Sequence, residues 1–319
     1  MNRIICAALL GMTSIWTVTF WALPSNAQTR QLADACANKN NGFSLDQRIA
    51  ACTGLIETGR VFGLGLAWAL INRCSAYNEN NESDLALTDC NLGIYLEPTT
   101  VNAFTVRGNV YFAKGNYDLA IADYNQAIQS KPKDGVAFSN RGRTYFAKGD
   151  NQRAIGDYTQ AIQLDPNDPR LYLSRALASF YVGALSNAQA DLNRSSALDP
   201  KSAYVVLWLD IVNKRSGLPS GLAKATTEID MTKWPAPIIR LFLGKMDPEA
   251  LLTAAEDANP LTKKDKLCEA NFYTGELALE RRKKDEATRL LRLAVADCSK
   301  SFIEYVAANA ELKAFPTTP

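Results

Sequence analysis

Two sets of side chains in this 319-residue sequence have types and spacings that matter chemically: a group of cysteines, and a series of alternating arginines and aspartates. Cys36, Cys52, Cys74, Cys90, Cys268 and Cys298 form an even set behind an export-like leader, which itself holds Cys6. An even set of thiols in an exported chain points to disulfide chemistry. Zinc is the competing use, but a zinc site needs closely spaced ligands or histidine partners, and the chain contains no histidine. Its absence also removes the commonest general base. Acid pairs such as Glu256-Asp257 and Asp285-Glu286 fall in lysine-rich helical stretches and are expected to be solvated faces. No serine stands in a Gly-x-Ser-x-Gly elbow, and no glycine-rich phosphate loop follows a strand. No catalytic residue, cofactor or metal is therefore expected.

The second set recurs in register. Arginine stands at Arg73, Arg107, Arg141 and Arg175, and aspartate at Asp89, Asp123, Asp157 and Asp191, each in steps of 34 residues. Proline keeps the same step at Pro98, Pro132, Pro166 and Pro200. A fixed period of this size signals stacked helical hairpins. The clearest units are 101–134 and 135–168, where Gly108 and Gly142, Tyr111 and Tyr145, Ala120 and Ala154, Tyr124 and Tyr158, and Ala127 and Ala161 hold equivalent places. Within a unit, 103–113 and 118–129 have helical spacing, Lys114-Gly115-Asn116 is the turn, and Pro132 closes the second helix. Unit 169–202 keeps Ala176, Ala188 and Pro200 but replaces the second tyrosine by Leu192. Leu70, Cys74, Tyr77, Ala86, Cys90 and Pro98 define a unit at 67–100. Aligning Cys52 with Cys90 places another hairpin in 28–66, with added length expected around 58–66.

These units resemble tetratricopeptide repeats (TPR), which implies an all-α, right-handed solenoid of stacked antiparallel helix hairpins. Antiparallel helices pair residues equidistant from their turn, so Cys36 faces Cys52 and Cys74 faces Cys90. Near the C-terminus, Gly275, Ala287 and Ala294 repeat the small-residue spacing and set Cys268 opposite Cys298 at the open end of a hairpin. Three disulfides within hairpins follow. Loops of about 16 residues should each contribute about 3 kcal/mol. The same geometry sets each arginine opposite its aspartate, which predicts ion pairs between helices in preference to a ladder gripping an acidic ligand. By resemblance to ligand-binding TPR proteins, the concave face holds Asn102, Thr105, Asn109, Phe112, Ser139, Arg143, Phe146, Arg170, Leu173, Phe180 and Tyr181. Asn109 and Arg143 suit a peptide backbone or carboxylate; Phe112, Phe146 and Phe180 are either apolar pockets or core.

At the N-terminus, Met-Asn-Arg precedes an uncharged run from Ile4 to Leu23, then Pro24, Ser25, Asn26 and Ala27. This is the pattern of an export signal, residues 1–27, cleaved before Gln28. The run is long enough for a bilayer, so a retained anchor is the alternative; Pro24 and the small residues favour cleavage. A lipoprotein cysteine is lacking, because Cys6 comes too early and Cys36 follows the charged Asp34. A periplasmic protein without a span in its mature part is expected. The 35 basic and 33 acidic residues nearly balance and are scattered, so nucleic acid is not an expected partner.

Beyond Pro200 the period fades. Helices are expected at 204–215, 218–230 and 248–258, broken at Trp234-Pro235-Ala236-Pro237, and together make a divergent region, 203–262. A C-terminal hairpin and capping helix occupy 263–313, with the turn at 282–285 and the last helix at 302–312. Leu207-Trp208-Leu209, Ile238 to Gly244, Glu269 to Gly275, Leu293 to Ala296 and Phe302-Ile303-Glu304 resemble the NlpI-like periplasmic TPR family. That resemblance implies a dimeric scaffold for cell-wall hydrolases and a processing protease. The expected function is a non-enzymatic adaptor that binds envelope proteins or peptides. A chaperone-like holder of exported chains is one alternative. An enzyme is another, and it requires a deep polar pocket with displaced acidities at residues such as Glu269, Glu276 or Glu304.

Overall fold

The 34-residue period resolves into helices because each unit offers two apolar stripes separated by a glycine turn. In the computed structural model, residues 26–314 are described, apart from Arg60, Thr100 and Ser301. The first 25 residues of the expected leader lie outside this part. Helices α1 (Asn26–Cys36) and α2 (Leu45–Glu57), α3 (Leu64–Glu79) and α4 (Ser83–Leu96), α5 (Val101–Lys114) and α6 (Tyr117–Ser130), α7 (Gly135–Lys148) and α8 (Asn151–Leu164), and α9 (Pro169–Tyr181) and α10 (Leu185–Leu198) form successive hairpins. Then come α11 (Ala203–Arg215), the short α12 (Leu222–Ala225), α13 (Ala236–Phe242) and α14 (Pro248–Ala254), a last hairpin of α15 (Pro260–Glu280) and α16 (Lys284–Asp297), and α17 (Ile303–Ala314). No strand occurs among the described residues. The added length of the first unit lies in the connection 58–63 and in the early start of α3 at Leu64.

Each hairpin is closed at one inner point by residues 16 apart, and the chemistry there changes along the chain. Cys36–Cys52 and Cys74–Cys90 are disulfides with Cα atoms 4.8 and 5.5 Å apart. One step on, Gly108 meets Tyr124 so closely that a Cβ on the glycine would lie 2.7 Å from the ring. Gly142 meets Tyr158 at 3.2 Å on the same measure, and Gly275 meets Leu291 at 3.1 Å. Ala176 and Leu192, both fully buried, hold the equivalent places of α9 and α10. The third disulfide, Cys268–Cys298, joins the middle of α15 to the end of α16, because α15 begins at Pro260, well ahead of the cysteine.

Beside four of these closing points stands an arginine fork. Arg73, Arg107, Arg141 and Arg175 bind Asp89, Asp123, Asp157 and Asp191 through Nε and Nη2, with shortest contacts of 2.6, 2.8, 2.7 and 2.7 Å. Their Nη1 atoms donate to Thr53, Asn91, Asn125 and Thr159 on the preceding hairpin, so one side chain ties three helices. The aspartates are almost fully buried. Lys114–Asp84 and Lys148–Asp118 add pairs between successive units.

Two expected helices are shorter than their patterns. Of 218–230, only Leu222–Ala225 is helical, since Pro219 and Gly221 delay its start and Ser220 is drawn to Asp210. Thr226 and Thr227 then turn their hydroxyls back onto Ala223 and Lys224 carbonyls and stop it. The third helix ends at Ala254 instead of Ala258. The largest core runs through the C-terminal half as a chain of aromatic contacts: Phe146–Tyr181, Phe180–Trp208, Trp208–Phe272 and Phe242–Tyr273, with centroids 5.7–6.1 Å apart. Helix α17 packs on α15 and α16 and also turns back along the earlier repeats. Tyr181 donates to the Ala307 carbonyl at 3.4 Å, and Arg215 pairs with Glu311 at 3.1 Å.

The closing points make a direct test. Gly108→Ala forces Tyr124 aside and should lower stability in urea melts by about 1–3 kcal/mol. Gly156→Ala, in a helix interior with open space around it, should raise stability by roughly 0.5–1 kcal/mol. Equal effects at the two sites would refute the closing-point account.

Candidate binding groove

The inner face is built by α5, α7 and α9. Asp134 and Asp168 set the starts of α7 and α9 by accepting hydrogen bonds from backbone N–H groups of Ala137 and Arg170, among others. Between these helices and α17 lies a groove of about 630 Å³. Its floor is Phe112, Phe146, Leu173 and Leu177; its polar groups are Ser139, Asn140, Arg143 and Ser174; its far wall is Ile303 and Val306 of α17 with Phe302 just before that helix. The mouth mixes Lys133 and Arg170 with Asp165 and Asp168, and Arg170 is already paired with Asp168 at 2.7 Å.

Arg143 is the distinctive group. Its guanidinium lies 4.4 Å from the Phe112 ring centroid, its Nε is buried without a hydrogen-bond partner, and it forms no ion pair among the described residues. It faces two phenols, Tyr124 and Tyr158, whose ionisation burial pushes well above the ordinary range and Arg143 draws partly back. Those neighbours therefore stay neutral and leave the cation uncompensated. The preceding unit has Asn109 at this position. Its Oδ1 accepts from Tyr124 Oη at 2.8 Å and Asn140 Nδ2 at 3.0 Å, which links two repeats.

Six of the eleven groove residues expected from the sequence meet here: Phe112, Ser139, Arg143, Phe146, Arg170 and Leu173. Phe112 and Phe146 are mostly covered and serve as floor. Asn102 is exposed away from the groove, and Thr105 is buried with its hydroxyl unpartnered. Phe180 packs on Trp208 with Arg215 stacked over it at 5.2 Å, so it is core. Tyr181 lies under α17, held to Ala307. Asn140 and Ser174, missed by the sequence reading, are themselves 34 residues apart and so carried a recoverable signal. Phe302, Ile303 and Val306 carried none, since only the return of α17 brings them to the groove.

The displaced carboxyls that an enzyme would need are present. Burial, then Glu304, raises Glu269 to about 7; burial, then Glu311, raises Glu276 to about 8; burial also raises Glu304 and Glu311. Glu269 accepts from Tyr204 and Trp234, both at 2.8 Å, and Glu304 from Tyr273 at 3.2 Å. Glu276, bound to Arg215 at 3.0 Å, borders a second cavity of about 470 Å³ with Lys214, Phe242, Glu280 and Arg282. These acids hold α11, α15 and α17 together, and each has a donor of the protein itself against it.

Residues 108–149 and 142–183 match the family profile of the TPR repeat. A tetratricopeptide repeat protein from Parabacteroides merdae is 13% identical, with a TM-score of 0.55 over 91% of this chain and 100% of that one. The fold is a TPR solenoid. YrrB, a TPR protein with an unusual peptide-binding site, is 20% identical with a TM-score of 0.48 over 62% of this chain and all of its own. The first TPR of Spaghetti (RPAP3), solved bound to the HSP90 peptide SRMEEVD, is 26% identical with a TM-score of 0.36 over 37% of this chain and 93% of its own. No curated protein matches the chain.

Two arginines separated by one residue should behave differently in this TPR solenoid. Arg141→Met strands the buried Asp157 and should cost about 3 kcal/mol in denaturant melts. Arg143→Met loses its contacts with Phe112, Tyr124 and Tyr158 but strands no buried acid, and should stay within about 1 kcal/mol of the parent.

Proposed function

We propose that this chain is a non-enzymatic scaffold of the bacterial cell envelope, which seats an extended segment of a partner protein in the groove between α5, α7, α9 and α17. The unpaired Arg143 carries this reading. A half-buried cation set on an aromatic floor, with amides and hydroxyls on either side, suits a carboxylate flanked by apolar side chains. Phe146, Leu173, Leu177 and Val306 would receive those side chains. The apolar run from Ile4 to Leu23 supports export, and paired cysteines suit an oxidising compartment. The resemblance of 200–312 to NlpI-like proteins makes wall hydrolases and proteases the first partners to try, and a homodimer the assembly to look for.

One observation favours the chaperone-like reading. Phe62, Leu64 and Tyr95 on the N-terminal hairpins are 77, 68 and 79% exposed, and such apolar surface would hold unfolded chains. The two readings separate in one experiment: selection of binding peptides from a displayed library, then titration against variants. The scaffold reading expects a consensus with one carboxylate among apolar residues, weakened at least tenfold by Arg143→Ala, or about 1.4 kcal/mol, and by Leu173→Asp. Selection of apolar peptides without a consensus, bound equally by both variants, would sink it.

A further inference from the structure

Helix α17 stands outside the hairpin order, and what holds it is unusual for a short terminal helix. Besides the apolar packing of Val306, Ala307 and Ala308 on the core, it is fixed to the solenoid by Glu304 and Glu311, each 6% exposed, and by the Ala307 carbonyl. Glu304 accepts from Tyr273 at 3.2 Å; Glu311 pairs with Arg215 at 3.1 Å. The groups around them are mostly acids and phenols. Glu269, Tyr273 and Tyr204 face Glu304, with Asp265 beside Glu269. Glu276, Tyr181 and Arg215 face Glu311. Arg215 is shared with Glu276 at 3.0 Å, and the nearby Lys214 is occupied by Asp210 and Glu280 at 3.1 and 2.9 Å. Four buried carboxyls, at 269, 276, 304 and 311, thus line the seat, and its one guanidinium reaches only Glu276 and Glu311. Glu276 Oε1 has no hydrogen-bond partner at all. Buried carboxylates without partners are expensive, so the seat suits protonated acids.

The chain leading into α17 is pinned at one point. Helix α16 stops at Asp297, and Cys298 is covalently fixed to Cys268. A released α17 would pivot beyond Cys298 without disturbing the last hairpin. It would carry Phe302, Ile303 and Val306 away from the groove and uncover Tyr181, whose ring lies 6.0 Å from Phe146.

We propose that α17 is an acid-closed strap: it docks while the carboxyls of its seat are protonated, walls the groove, and swings out on Cys298 when they ionise. The sign follows from the directions above. The docked form binds protons that the released form gives up, so docking is strong towards pH 4.5 and is lost as pH rises through about 7 and 8, the values for Glu269 and Glu276. Release in turn exposes more of the inner face to a partner; only this consequence rests on the groove reading.

Hydrogen exchange by mass spectrometry on the full chain, corrected for the intrinsic pH dependence of exchange, tests the strap without any ligand. Protection of α17 relative to α16 should fall about a hundredfold between pH 6 and pH 9, as expected for one carboxyl near 8. The double variant Glu304→Gln, Glu311→Gln should keep α17 protected at pH 9. Equal relative protection of wild-type α17 at both pH values overturns the proposal, whether or not the variant folds; so does a variant that loses protection as steeply as the parent. Titration of a selected groove peptide at pH 6 and pH 9 separates the two ideas. Release of α17 with no peptide binding at either pH condemns the groove and spares the strap, and peptide binding with a static α17 does the reverse.

Discussion

The bidentate grip of an arginine on an aspartate across each of the four middle hairpins, with the same guanidinium reaching a third helix, fixes the geometry on which the groove depends. Alanine contacts set how closely helices approach but not how they are rolled or slid. A planar fork has one orientation that satisfies both carboxylate oxygens. Because Arg107 holds Asp123 within its hairpin and Asn91 in the one before, the angle within a unit and the angle between units are set by one side chain. Repeated at Arg73, Arg141 and Arg175, this places successive first helices at a regular pitch, and a regular pitch is what lines up Phe112, Arg143 and Leu173 on one face.

The closing point beside each fork shows how stabilisation shifts along the solenoid. Where the core clusters are small, around Cys36 and Cys52 and around Cys74 and Cys90, covalent bonds close the hairpins. From Gly108 to Leu192, where each hairpin has a neighbour on both sides, a glycine against a large ring, or an alanine with a leucine, closes the hairpin. The disulfide compensates for burial that an end hairpin cannot find. At the other end the same need is met differently: Cys298 is fixed just before the chain leaves α16, and α17 folds back onto the repeats instead of extending the stack.

Periodicity made most of this legible. The step of 34 residues located the middle hairpins, their turns and the arginine–aspartate pairs, and the small-residue frame and the repeated spacing of the cysteines extended the register to the cysteine partners. The resemblance to ligand-binding TPR proteins named Phe112, Ser139, Arg143, Phe146, Arg170 and Leu173, which line one groove. Periodicity failed where tertiary contacts decide. Phe180 has the place of Phe112 and Phe146 in its unit, yet Trp208 and Arg215 enclose it, since the neighbouring unit no longer follows the pattern. The stretch 218–230 has a helical spacing of apolar residues, but Pro219, Gly221 and the hydroxyls of Thr226 and Thr227 leave it one short turn. Nothing local in 302–312 says which surface that amphipathic helix will choose.

Charge accounting explains why the groove and the strap belong to the same design. Each repeat arginine has its aspartate 16 residues away, so the repeats are internally neutral at their forks. Two places break the rule in opposite senses: Arg143 has a buried nitrogen and no acid, and the seat of α17 has four acids and one guanidinium. The register of α17 keeps these imbalances from cancelling. It sets Glu311 on Arg215 and Glu304 on Tyr273, and presents Phe302, Ile303 and Val306 to the groove. A helix that put an acid over Arg143 would have sealed the inner face; one that puts apolar side chains there completes a pocket and leaves its cation for a ligand from outside.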